Sequence, residues 1–193
     1  MVWPGKKSLV LMGAVLMILL SLPEPGCPQK YNASQAKNQL KEAEKNYSSQ
    51  NYAEAEKILI QLSESYPQDP QFSYFQLLSA QCEYHLKNYD SAQKRFKDLM
   101  HQFPRSLYIP ASYYMLGNIT YLQGKNFESA QNFVQAYQLA QTSQLRNLSQ
   151  KSLEPLLKRW LSEKELEKLS QTEKDKKLAP LIFFWLGKRN VES

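Results

Sequence analysis

Glycine is scarce in this chain: six in 193 residues. Barrels and sandwiches need frequent glycine-bearing turns, so this composition excludes them and favours helices. Cysteine is scarcer still, at two, too few to staple a small scaffold, so apolar packing must provide cohesion. Excess charge is small as well. The 24 basic residues against 18 acidic ones leave +6, which is no nucleic-acid footprint in itself. Catalytic sets are missing too: no nucleophile elbow, glycine-rich phosphate loop or Ser–His–acid order occurs. Cys82 and His85 have a helical ligand spacing, but no CxxC or HExxH completes a zinc site. Carboxylate runs such as Glu42/Glu44 and Glu163/Glu165/Glu167 read as solvated helix faces. The expectation is a non-enzymatic helical protein with no cofactor and no metal.

One apolar run stands out. Lys6 and Lys7 precede Leu9 to Leu20, Pro23 and Pro25 break the run, and Gly26-Cys27 follows. A basic start, a short apolar middle and a small residue before the break form a secretory signal over residues 1–27. The run is short of the roughly 20 apolar residues that a spanning helix wants, although an uncleaved anchor stays open. Gly26-Cys27 resembles the cleavage and lipidation site of bacterial lipoproteins, which would make Cys27 the acylated first residue. Glu24 departs from the aliphatic residue usual three positions before such a cysteine. The bland alternative is a bystander cysteine near an ordinary cleavage site. Export would put the rest outside the cytoplasm, with Cys82 as a buried thiol in a helical stripe.

The body repeats. Asn51-Tyr52-Ala53-Glu54-Ala55, Asn88-Tyr89-Asp90-Ser91-Ala92 and Asn126-Phe127-Glu128-Ser129-Ala130 recur at intervals of 37 and 38. Ile58, Leu59 and Leu62 follow the first, Phe96 and Leu99 the second, and Phe133, Val134 and Tyr137 the third. Tyr66-Pro67 and Phe103-Pro104 close the first two units, since proline cannot continue a helix. Phe75, Leu78, Cys82 and Leu86 make another stripe at helical steps, and Gln123-Gly124-Lys125 marks a turn. Each unit is thus a helical pair, and since one pair cannot bury both stripes, neighbours must stack.

The pattern resembles the tetratricopeptide repeat. Leu116-Gly117, Gly124, Phe127, Ala130 and Tyr137 occupy its Leu-Gly, turn, aromatic, small-residue and second-helix contact positions. Longer repeats ending in Tyr-Pro or Phe-Pro are similar to those of bacterial envelope proteins. These are the outer-membrane assembly lipoproteins typified by BamD and the Tol-Pal-associated proteins typified by YbgF. The segment from Phe103 through Ile109-Pro110 and Tyr113-Tyr114 to Gly117 carries most of this likeness. It implies an all-α helical-hairpin solenoid, with three repeats over residues 31–141 and a C-terminal helical extension over 142–193. In the first helix Ala36, Leu40, Ala43 and Tyr47 keep the stripe but lack the Leu-Gly pair.

Past residue 142 the register changes. Gln144 to Leu161 reads as a longer helix carrying Leu145, Leu148, Leu153, Leu156, Leu157 and Trp160, kinked at Pro155. Ser162 and Glu165 have capping-box spacing, and Gln171 to Lys177 forms a polar link. Ala179-Pro180 to Gly187 then echoes Ile109-Pro110 to Gly117, the first helix of an incomplete fourth repeat. Its Phe183, Phe184 and Trp185 lack the helix that would cover them. They are either packed as a cap or are a contact for another protein or a second copy. The Lys151 to Lys177 stretch is near charge balance, so it reads as solvated surface before it reads as a phosphate or lipid-headgroup stripe.

What remains is a binding surface. Carried over from the resembled repeats, the groove positions are Gln76, Glu83 and Tyr84 in the second unit and Tyr114, Asn118 and Tyr121 in the third. Tyrosines beside amides suit a peptide or helix partner. The resemblance implies a scaffold on the periplasmic side of the envelope, tethered through Cys27 to the outer membrane in preference to the inner, in outer-membrane protein assembly or envelope maintenance. The alternative is a module that activates a cell-wall synthase. A hydrolase or a cytosolic co-chaperone is disfavoured, the first by its missing catalytic set and the second by the export signal.

Overall fold

A computed structural model of the chain describes residues 32–172 and 178–192. The signal segment, Cys27 and the link at 173–177 lie outside them. The described residues from Ala33 onward belong to one compact unit and are helical throughout. The helices are α1 (Ala33–Ser48), α2 (Tyr52–Ser65), α3 (Phe72–His85), α4 (Tyr89–Gln102), α5 (Ile109–Leu122), α6 (Asn126–Leu139), α7 (Ser143–Pro155), α8 (Glu163–Thr172) and α9 (Ala179–Glu192). Helices α1–α6 form three antiparallel pairs, and each helix packs on the next. None of the described helices is long and apolar enough to cross a membrane.

Within each pair a left-handed residue makes the turn. Gln50, Lys87 and Gly124 have φ of 64°, 65° and 74° and stand 37 residues apart. Each turn closes with the same two backbone bonds, for example Gln50 N to Tyr47 O at 3.0 Å and Asn51 N to Asn46 O at 2.8 Å. Lys87, Asn88, Gly124 and Lys125 repeat them, which is a Schellman closure. A side chain at positive φ costs about 1 kcal/mol that glycine avoids. Gln50→Gly and Lys87→Gly are therefore expected to stabilise the unit by about 0.5–1 kcal/mol each, with a higher urea midpoint. A lower midpoint in both variants would contradict that strain.

The turns fix the repeat at 37 throughout, which corrects the second interval of 38. The second helices start at Tyr52, Tyr89 and Asn126, so the Asn-aromatic landmark slides by one residue in α6. In the structural register Leu59, Phe96 and Phe133 are equivalent, all at most 2% exposed. Ser129, not Ala130, takes the place of Ala55 and Ala92. The small residue of the first helices is Ala43, Ala80 and Gly117, all buried, so α1 has its counterpart of the glycine after all. Tyr66 and Phe103 cap α2 and α4 directly before their prolines. Asp69 and Ser106 then turn the chain by accepting the backbone N–H two residues on, at 2.7 and 3.2 Å.

Three apolar clusters run along the stack. The first joins α1, α2 and α3 through Leu40, Leu59, Leu62, Phe75 and Cys82. Leu77 and Ala80, on the other side of α3, join Phe96, Leu99 and Ile119 of α4 and α5. Helix α3 is thus apolar on two faces because it is covered on two faces. Leu86 leaves the expected stripe; it caps α3 and is 37% exposed. The third cluster gathers Phe133 and Val134 of α6 with Leu153, Leu157, Leu166, Leu169 and Ile182 of the C-terminal helices.

That third cluster depends on a change of helix type. At Pro155 α7 passes into one π turn, Leu156–Trp160, closed by Leu161 N to Leu156 O at 3.1 Å. Leu156, Leu157 and Leu161 point inward, while Leu148 and Trp160 are 42% and 55% exposed, outside the stripe expected of them. The capping box forms: Glu165 Oε2 accepts from Ser162 N at 2.8 Å, and Glu165 N donates to Ser162 Oγ at 3.4 Å.

Candidate protein-binding face

The first helices of neighbouring pairs touch each other. The Tyr74 hydroxyl of α3 donates to Glu44 Oε1 of α1 at 3.0 Å, and Tyr47 of α1 meets His85 Nε2 of α3 at 3.2 Å. Helix α5 lies against α3 in turn. Along these helices the 37-residue period lines up Tyr47, Tyr84 and Tyr121, and beside them Glu44, Gln81 and Asn118. All six are half-buried except Tyr121, which is 46% exposed. One rung is aromatic and the other polar. Among the described residues α5 has no charged side chain along its whole length.

Local packing stiffens the face. Tyr52 stacks on His85 with centroids 4.3 Å apart, and Tyr84 meets His85 and Tyr89 edge-on or tilted at 5.5 and 5.7 Å. Burial pushes the Tyr47 hydroxyl up to about 12. Burial, then the hydrogen bond and charge of Glu44, push that of Tyr74 to about 12. These phenols therefore stay neutral, as donors and acceptors with broad apolar flanks, throughout the physiological range. Burial lowers the His85 pKa, so at neutral pH its ring is an uncharged member of the stack.

The six expected groove residues divide. Tyr84, Asn118 and Tyr121 lie on the aromatic and polar rungs. Tyr114 is half-buried and tilts against Phe133 at 5.6 Å, so much of it is repeat core. Gln76 reaches Ser63 of α2 at 3.4 Å. Glu83 does not belong to the face: it is 4% exposed and turned inward. Its Oε1 accepts from Ser91 Oγ at 2.7 Å and Arg95 Nε at 2.8 Å. Glu56 shares the same guanidinium at 3.8 Å; burial, then the hydrogen bond and charge of Glu83, raise its pKa, and Arg95 partly opposes them. Arg95 thus ties α2 and α3 to α4. Glu44, Tyr47 and Gln81 were missed by the carry-over, although stepping back 37 residues from Tyr84 reaches Tyr47.

Cys82 and His85 have different surroundings. Cys82 is fully buried in the first cluster, where burial, then Glu56 and Glu83, push its thiol up to about 12. His85 is in the exposed stack. Among the described residues no three metal-ligating side chains converge. At the far end α9 splits its aromatics. Trp185 packs into the third cluster, whereas Phe183 and Phe184 are 55% and 52% exposed.

Residues 32–153 match the sequence model of the YfiO family, described as an outer membrane lipoprotein. No curated protein and no solved structure matches the chain. The matched stretch takes in all three helical pairs and most of α7, well over half of the chain, with the repeated Tyr47, Tyr84 and Tyr121 rung inside it. This chain belongs to the YfiO family of outer membrane lipoproteins.

Proposed function

We propose that this chain is a non-catalytic scaffold of the bacterial cell envelope. It is exported by residues 1–26, tethered through acylated Cys27 to the periplasmic side of the outer membrane, and holds a segment of another envelope protein along α1, α3 and α5. The observation that carries this reading is the doubled rung on successive first helices, tyrosines beside amides or a carboxylate, the last of these helices, α5, being uncharged. Such a surface offers apolar area and adaptable hydrogen bonds, which fits an extended peptide or a helix better than a charged polymer. Membership of an outer membrane lipoprotein family supports a place in outer-membrane protein assembly or envelope maintenance.

The test is in-cell photo-crosslinking of the full-length chain, with the crosslinker replacing Asn118 or Tyr121, and replacing exposed Lys97 of α4 as the control. Capture of a barrel-assembly component from the first two positions only is the expected outcome. The double variant Tyr84→Ala/Tyr121→Ala should keep its helicity and lose capture by about tenfold, two interface tyrosines commonly being worth that much. Capture of a cell-wall synthase would replace assembly with synthase activation as the function. Equal capture from Lys97 would sink the face itself.

A further inference from the structure

Helix α9 is apolar on two faces and covered on one. Ile182, Trp185 and Leu186 turn into the third cluster. On the opposite side Pro180, Phe184 and Gly187 follow at steps of four and three. All three are exposed, Phe184 by 52%. Helix α3 is two-faced in the same way, and it has a neighbour on each face. The repeat says what belongs on the open side of α9. Seventy residues back, Pro110, Tyr114 and Gly117 of α5 hold the same places, and α6 covers the last two. There the Phe133 ring lies 5.6 Å from that of Tyr114 and fills the hollow left where Gly117 has no side chain. On α9 the matching hollow is open: among the described residues nothing lies within 4 Å of a Cβ placed on Gly187.

We infer that two copies of this chain pair through α9, antiparallel about a two-fold axis between residues 184 and 187, each Phe184 ring seated on the other copy's Gly187. Ridge and hollow lie one turn apart on a single stripe. A half-turn about the point between them therefore lays each ridge in the other's hollow, which is the condition for an isologous contact. The seating of Phe133 on Gly117 is thereby made twice, between chains instead of within one. Head-to-tail stacking onto α1 is closed off, because that helix turns exposed Lys37, Lys41, Glu42 and Lys45 outward. Phe184 and its neighbour Phe183, 52% and 55% exposed, each leave roughly 100 Å² uncovered. Two copies would bury a few hundred Å² from these rings, well under the roughly 1,200 Å² of a lasting complex. The pairing is thus a transient contact between neighbouring molecules and not an obligate dimer. It depends on neither the groove nor the tether proposed above.

The test is in-cell photo-crosslinking of the full-length chain, with benzoylphenylalanine replacing Phe184. As the control it replaces Leu107, 62% exposed on the loop between α4 and α5. Two differently tagged forms of the chain are made together, so that a link between copies is told from one within a copy. The expected product joins residue 184 of one copy to the segment 183–188 of the other, and the control position gives none. Gly187→Leu fills the hollow and should lower that product by about tenfold, which overpacking one contact commonly costs. Within a single copy the added side chain meets open space among the described residues, and removing a helical glycine favours the helix. The melting temperature of Gly187→Leu should therefore not fall. A fall would mean that Gly187 is covered within its own copy, which overturns the inference. A product undiminished by Gly187→Leu overturns the seating of Phe184. Capture of a different protein from residue 184, or of nothing, overturns the pairing itself.

Discussion

Replacing Arg95 with methionine is expected to destabilise the helical unit by about 3–5 kcal/mol, lowering its melting temperature by roughly 10 °C. The reason is arithmetic of charge. One guanidinium serves two carboxylates, and the three side chains are 29%, 17% and 5% exposed for Arg95, Glu56 and Glu83. Methionine keeps most of the volume but leaves two neighbouring carboxylates facing each other out of water. The sign of the pH dependence follows from Glu56, whose pKa is already raised in the fold. A raised carboxyl holds its proton longer folded than unfolded, so its contribution is fully present below the ordinary value and lost as pH climbs through the native one. Without Arg95 the upward push is unopposed. Arg95→Met should therefore recover part of its deficit between pH 7.5 and pH 5, and Arg95→Met/Glu56→Gln should recover little. Thermal melts at the two pH values decide it. A loss below about 1 kcal/mol at neutral pH would mean that the pair is solvent-screened like a surface bridge.

Gly117→Val is expected to cost about 2–3 kcal/mol by overpacking. A Cβ at Gly117 would lie 2.6 Å from Cε1 and 2.7 Å from Cδ1 of Phe133, and that ring is 2% exposed, with little room to retreat. The closeness has a local cause. Ser129 Oγ donates across the pair to Gly117 O at 2.8 Å, and Thr120 Oγ1 shares that acceptor at 3.1 Å. In the other two pairs the position of Ser129 is alanine, so nothing draws the second helix in by such a bond. Gly117→Ala should cost less, because its helix propensity returns up to about 1 kcal/mol. Phe133→Leu should partly rescue Gly117→Val, which a double-mutant cycle in urea would read as a favourable coupling. Additive losses would mean that the clash is relieved elsewhere.

These two sites show what is readable from a single sequence. The helical pairs, their prolines, the buried alanines and the Ser162 cap follow from local spacing, because the period and the capping box are short-range signals. Arg95 is different. Its partners Glu56 and Glu83 lie on two other helices, and only packing brings them to one guanidinium. Glu83 was assigned to the groove by its place in the repeat, yet the next helix turned it inward. The second interval was misread for a related reason: the Asn-aromatic pair is a side-chain landmark, whereas the left-handed turn at Gly124 sets where α6 starts. At Trp160 the leucine stripe was carried past the kink expected at Pro155, and the π turn shifted the register of the residues within it. Tyr121 and Asn118 were legible because one first helix repeats another.

The unequal clusters have a mechanical meaning. Helix α1 buries only Ala36, Leu40 and Ala43, two methyls and an isobutyl group, whereas the C-terminal cluster is built from leucines on three helices and the aromatic ring of Phe133. Tension entering at residue 32 therefore meets first a helix whose buried side chains are small. The stack would peel from that end one helix at a time, with α1 as a shear pin that yields while the pairs beyond it keep their shape.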